Sequence, residues 1–176
     1  MTHTIIGRPA ANEHAPYYSR YIDRVTGDDA LAALIQQVDE TAALLAHVDE
    51  AKAAYRYAPG KWSVKQVVGH MADVERVFGY RALRFARADA TPLPGFDETT
   101  YAEAAESDAR PLADIAIEFR AIRAASIALF ASLSPEALMR TGAANNSPMS
   151  ARAAAWTIAG HELHHRLGLI ERYGLE

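Results

Sequence analysis

The chain has 176 residues, half of them apolar and 23% charged, with a formal net charge of −4. That length suits one domain over 1–176 with a substantial core, and basic residues scattered without a cluster argue against a nucleic-acid surface. With no cysteine, disulfides, thiolate metal ligands and a cysteine nucleophile are excluded, so a metal would have to be held by nitrogen and oxygen.

The opening stretch MTHTIIGRPAANEH has no basic region leading into a long apolar run, so no signal peptide is expected. No segment approaches the roughly 18 apolar residues of a membrane span, so no membrane partner is expected and the cytoplasm is the expected compartment. Residues 1–27 read as irregular, with aromatics at Tyr17, Tyr18 and Tyr21. A first helix starts after Asp28 or Asp29, either of which can cap it, and runs to about Val48. Leu31, Leu34, Ile35, Val38, Ala42, Leu45 and Val48 follow its 3.6-residue period. Ser63 opens the second helix, with Gln66 completing a capping box. This helix carries Val67, His70, Val74, Val77 and Phe78 inward and ends near Ala88.

TPLPGFDE is the clearest loop. With the residues that follow, it is longer than a bundle connection requires, and it is a candidate cover for a site. A short helix over 99–106 follows. Pro111 suits the first position of the third helix, which runs to about Leu133 with Leu112, Ile115, Phe119, Ile122, Ile127 and Phe130 inward. SPEALM and TGAANNSP read as a turn and a polar loop, with Asn145 and Asn146 as turn residues. Ser150 caps the fourth helix, which ends near Tyr173 with Gly174 as its stop. No stretch alternates with period two. The expectation is therefore an all-α four-helix bundle with a short extra helix and an irregular N-terminal segment, a fold that builds metal sites between facing helices.

The fourth helix carries two apolar stripes, Trp156, Ala159, Leu163, Leu167 and Ile170 on one side and Ile158, His161, His165 and Leu169 on another. Residues four apart share a face, with Cβ atoms roughly 5–6 Å apart. His161 and His165 can thus reach one cation at about 2.0–2.1 Å, and His70 from the second helix can complete a three-histidine site open to water or substrate. Buried without partners, such rings would cost several kcal/mol in total. His164 lies about 100° from His165 on the wheel and is expected outside the ligand set. His3, His14 and His47 read as ordinary surface residues. HELHH also fits the H-E-x-x-H zinc-protease helix with Glu162 as base, but only eleven residues follow His165 and no strand is visible to bind a peptide. Asp73, Glu75 and Glu162 are candidate acids that could orient a ligand histidine, with surface ion pairs as the competing reading. Ser63 reads as a cap and Trp62 as a packing anchor. Nitrogen ligands suit several divalent metals; zinc is favoured and nickel is next.

The stretches GKWSVKQVVGHMADVERV, RALRFARADATPLPGFDE and AGHELHHRLGLIERYG, in that order, resemble the DinB-like (YfiT-type) superfamily of metal-dependent hydrolases. The resemblance implies a four-helix bundle of up-up-down-down character around a metal held by His70, His161 and His165, with water completing the shell. It also implies a possible homodimer, and it extends to bundles that act as thiol-dependent transferases and isomerases.

Two classes of function follow. One is a metal-dependent enzyme acting on a small molecule, a hydrolase using metal-bound water, with Glu162 or Asp73 as candidate proton carriers. Transfer or isomerisation dependent on a low-molecular-weight thiol is its variant. The other is a non-catalytic metal- or ligand-binding stress protein.

Overall fold

The computed structural model describes residues 4–176. In chain order the helices are α1 (Ser19–Ile22), α2 (Ala30–Ala46), α3 (Glu50–Ala53), α4 (Val64–Ala86), α5 (Glu98–Ala104), α6 (Leu112–Ala131), α7 (Pro135–Met139) and α8 (Ala151–Glu171). The long helices α2, α4, α6 and α8 form the bundle. Asp29 caps α2 by accepting from the Leu31 amide. Ser63 and Gln66 make the reciprocal capping box of α4, both bonds at 3.1 Å. Ser150 caps α8 through the Ala153 amide, and Gly174, at φ 65°, follows its end. Pro111 stands just outside α6 as its N-cap, one position earlier than the sequence suggested.

The direction of the helices differs from the up-up-down-down order implied by the resemblance. One end of the core gathers Leu31 and Leu34 of α2, Phe78 and Phe85 of α4, Phe130 of α6 and Trp156 of α8. The other end gathers Leu45 of α2, Val67 of α4, Ile115 of α6 and Leu169 of α8. The start of α2 thus shares an end with the close of α4, the close of α6 and the start of α8, and the order is up-down-down-up. The physical reason lies in the connection over 87–111. It travels back along the bundle, carrying α5, so α6 begins at the same end as α4 and runs parallel to it. The length of the TPLPGFDE region is explained by this return path. Ile35, expected inward, is 46% exposed, because the buried face of α2 is carried by Leu31, Leu34, Leu44 and Leu45.

Two regions read as irregular are ordered against α8. Ile6 is buried, and its carbonyl and that of Gly7 each accept from the Trp156 indole at 2.9 Å. Short 3-10 turns over Ala11–Glu13 and Pro16–Tyr18 lead into α1. Tyr21 of α1 lies so close to Gly160 that a Cβ there would sit 2.1 Å from its carbonyl oxygen. The TGAANNSP stretch is a hairpin of β1 (Thr141–Ala144) and β2 (Ser147–Ser150). Asn145 and Asn146, at φ 50° and 57°, supply the left-handed pair that a two-residue hairpin turn requires. Leu93 adds a parallel bridge to Ala144. His47 is exposed as expected. His14 is not: it is buried, with Nδ1 2.9 Å from the Ala15 carbonyl. His3 lies outside the described residues. Among the described residues no helix is long and apolar enough to cross a membrane.

Candidate metal centre

His70 projects from the second turn of α4, and His161 and His165 from adjacent turns of α8, which runs antiparallel beside it. The Nε2 atoms of His70 and His165 each stand 3.1 Å from Nε2 of His161. One nitrogen from each ring lies within 4.8 Å of the other two. Two nitrogens bound tetrahedrally at about 2.0–2.1 Å are about 3.3–3.4 Å apart, so the observed spacing accepts a divalent ion with little adjustment. His70 and His161 are buried and His165 is half-buried. Trp62 packs on His70 with ring centroids 4.7 Å apart, and Tyr21 meets the edge of His161 at 5.3 Å.

The electrostatics point the same way. Burial, with smaller contributions from neighbouring rings, holds His161 and His165 well below the ordinary histidine range. Burial and the nearby His164 bring His70 down to about 4. The three rings are therefore neutral at pH 7, as metal ligands must be. A neutral imidazole carries one N–H and one lone pair. Three such nitrogens turned on one point cannot all satisfy one another, and a cation resolves the conflict. The donor set fits a three-nitrogen divalent site.

Two clefts border the triad, one at His165 and the other at His161. One, of about 380 Å³, includes His164 and His165, with Trp62, Tyr57 and Tyr173 as aromatic walls and Arg24, Lys61 and Arg172 as cations. The other, of about 330 Å³, ends on His161 and is walled by Tyr17, Tyr18, Tyr21, Phe78 and Phe96, with Arg81 among them. The TPLPGFDETTY stretch contributes Gly95, Phe96 and Glu98 to the second cleft and Thr99 to the first.

The sequence-derived acids turn elsewhere. Asp73 pairs with Arg76 at 3.1 Å toward α6. Glu162 is buried on the face of α8 next to the triad, turned toward α2 and α6, receiving the Thr41 hydroxyl and lying 2.6 Å from Arg123 as an ion pair without hydrogen-bond alignment. Burial pushes the Glu162 carboxyl up, against the lowering effect of Arg123. Glu75 takes Arg123 as a two-pronged pair at 2.8 and 2.9 Å. Neither Asp73 nor Glu162 lines either open cleft. His164 is half-buried, faces the cationic cleft and stays outside the triad. Trp62 is both packing anchor and cleft wall, and Ser63 is a cap. Sequence reasoning missed Arg81 and Arg123. Their signal was arginine at inward-facing helix positions, which long-range partners alone explain.

The model of the DinB superfamily matches residues 33–168. In structure the chain is similar to YfiT from Bacillus subtilis, described as a probable metal-dependent hydrolase with an unusual four-helix bundle topology. The TM-score is 0.71 and the identity 18%, over 84% of this chain and 87% of that one. It is also similar to a mycothiol-dependent maleylpyruvate isomerase, with a TM-score of 0.65 and 14% identity over 78% of this chain and 58% of that one. At such identities the likeness speaks for the fold. No curated protein matches the chain.

Proposed function

From the premise that this chain belongs to the DinB superfamily, we propose that it is a metal-dependent enzyme, a hydrolase acting on a small molecule at His70, His161 and His165. The observation that carries this reading is the convergence of three neutral ring nitrogens, 3.1 Å apart in two pairs, with one cleft bordering His165 and another bordering His161. A divalent ion held there, zinc in first place and nickel next, would supply Lewis acidity toward a substrate oxygen and acidify water to a pKa of about 7. The chain's own part is to hold the three rings neutral and to keep one side accessible. Trp62 and Tyr21 fix the orientation of His70 and His161 by packing on their rings. Residues 95–99 would cover both clefts.

A second reading, thiol-dependent transfer or isomerisation, is supported by the cationic cleft. Arg24, Lys61 and Arg172 beside His165 suit a thiol co-substrate with anionic groups, leaving the aromatic cleft for the acceptor. Access from both clefts favours either enzymatic reading over a closed structural site. Asp73 and Glu162 were the candidate proton carriers. Because both are engaged in ion pairs away from the clefts, the role proposed for Glu162 is to position α8.

Metal stoichiometry after dialysis against a weak chelator tests the ligand set. Alanine at His70, His161 or His165 should lower affinity by more than the roughly 10–100-fold typical of an outer-shell change, while His164→Ala should retain metal. Zinc at 100 times its Kd adds about 2.7 kcal/mol to the folded state. At about 2–4 °C per kcal/mol for this size, the parent should gain roughly 5–11 °C in Tm and His165→Ala almost none. Full retention by His165→Ala, or loss on His164→Ala alone, refutes the assignment. A screen of ester, amide and thiol substrates on the loaded protein then separates the two chemistries.

A further inference from the structure

Two arginines of the described residues are buried, and they are treated in opposite ways. Arg123 is fully enclosed and neutralised by Glu75 and Glu162. Arg81, on α4, is 3% exposed and has no carboxylate within ion-pair distance among the described residues. One of its five N–H donors reaches a protein acceptor, the Pro94 carbonyl at 3.1 Å. Its guanidinium carbon lies 4.9 Å from the Phe78 ring centroid and 5.9 Å from that of Phe96. These rings offset part of the cost of taking a cation out of water, and they hold the flat fork in place. They supply no counter-charge. Buried charges in proteins are ordinarily paired, so an uncompensated one facing a cavity invites an anion from outside the chain.

The cavity that Arg81 lines is the aromatic cleft ending on His161. At about 330 Å³ it falls within the range of small-molecule sites, about 300–1,000 Å³. Five tyrosine and phenylalanine rings make up much of its wall, and Glu98, its one carboxylate, is exposed. We propose that this cleft binds a small carboxylate with a flat, unsaturated or aromatic body. The carboxylate accepts from the Arg81 fork, the body lies against Phe78, Phe96, Tyr18 and Tyr21, and the far end reaches His161. Resting on the proposed metal-dependent function, this names the substrate class of that same site and makes Arg81 its specificity residue. Arginine suits the task because its planar donors match a carboxylate two-for-two.

The test is binding, not turnover. Cinnamate and its neutral analogue cinnamamide would be titrated into zinc-loaded protein, into metal-stripped protein and into the variants Arg81→Met, Arg81→Lys and His165→Ala. Wild type should saturate with cinnamate and bind cinnamamide at least tenfold more weakly. Arg81→Met should lose that preference, weakening cinnamate by roughly 10–100-fold, as expected for hydrogen bonds to a charged group. Arg81→Lys should restore only part of it. The Tm of Arg81→Met should hold or rise, since an uncompensated buried cation is removed, which a merely structural role would not allow. Metal-stripped protein and His165→Ala should keep the carboxylate preference, so failure of the metal assignment would leave this site standing. Equal cinnamate affinity in wild type and Arg81→Met, or no saturable cinnamate binding by wild type, overturns the proposal.

Discussion

Removing Arg123 should be among the most damaging single changes available to this chain. Its side chain is 0% exposed, those of Glu75 and Glu162 are each 2% exposed, and its Nη1 also reaches the Leu34 carbonyl at 3.1 Å. Arg123→Met keeps the length and apolar stem but leaves two carboxylates without their cation. Breaking a buried pair by removing one partner costs about 3–5 kcal/mol. At about 2–4 °C per kcal/mol for a domain of this size, the Tm should fall by roughly 6–20 °C. The sign of the pH dependence follows from Glu162. Burial already raises its folded pKa above the unfolded value, and loss of Arg123 raises it further. A carboxyl of that kind is stabilising below its unfolded pKa and loses that contribution as pH rises through the folded one. The deficit of the variant should therefore be widest at pH 8 and should narrow toward pH 5. Replacing Glu75 and Glu162 by glutamine in the Arg123→Met background should recover much of the loss at pH 8. Thermal melts across that range check all three statements. A deficit under about 2 °C, which is about 1 kcal/mol or less, or one that does not change with pH, would refute the reasoning.

Because burial keeps the triad rings neutral, and His70 titrates at about 4, zinc affinity should stay level from pH 8 to about pH 5 and fall below that. An exposed histidine pair would instead weaken below its ordinary pKa of about 6.5. A competition titration with a chelator of known pH behaviour reads this out, and a steep loss between pH 7 and 6 would contradict the burial argument. Gly160→Ala improves helix propensity by about 1 kcal/mol, yet its Cβ would meet the Tyr21 backbone at 2.1 Å. Urea unfolding should show a net loss of about 1–2 kcal/mol, overpacking in the upper part of its usual range of about 1–3 kcal/mol less that gain, and a neutral or stabilising result would mean that α1 yields freely.

What could be read from the sequence was what local chemistry writes. The Ser63–Gln66 box, the Asp29 and Ser150 caps and Gly174 mark helix ends within a few residues of where they fall. The i, i+4 spacing of His161 and His165 likewise placed two rings on one face without knowledge of any neighbour. The remainder depends on partners far along the chain. Nothing near Arg123 announces that Glu75, 48 residues earlier, and Glu162 will flank it. Direction was hidden for the same reason, since whether a connection turns back or travels the length of the bundle is set by packing rather than by its composition. The hairpin escaped because Thr141–Ala144 and Ser147–Ser150 are too short and too polar to alternate. Their only local mark was Asn145–Asn146, which served equally well as a loop. His14 was misjudged because the N-terminal segment that buries it has no periodic pattern to reveal its docking on α8.

The two polar clusters in the core belong to one arrangement. His70 and Glu75 lie on α4, and His161 and Glu162 are neighbours on α8, so the same two helices carry both clusters. Arg123 of α6 joins Glu75 to Glu162, and α2 adds the Thr41 hydroxyl on Glu162 and the Gln37 amide on the Ala159 carbonyl at 2.9 Å. Apolar packing alone tolerates small slips of one helix along another, whereas charged hydrogen bonds lose their geometry over a fraction of an ångström. A slip of α8 by one residue, 1.5 Å along its axis, would part the nitrogens of His70 and His161 and break the Arg123 contacts together. On this reasoning the ion cluster holds the register in which three histidines meet, and metal retention in Arg123→Met should fall even at pH 5, where its fold is least disturbed.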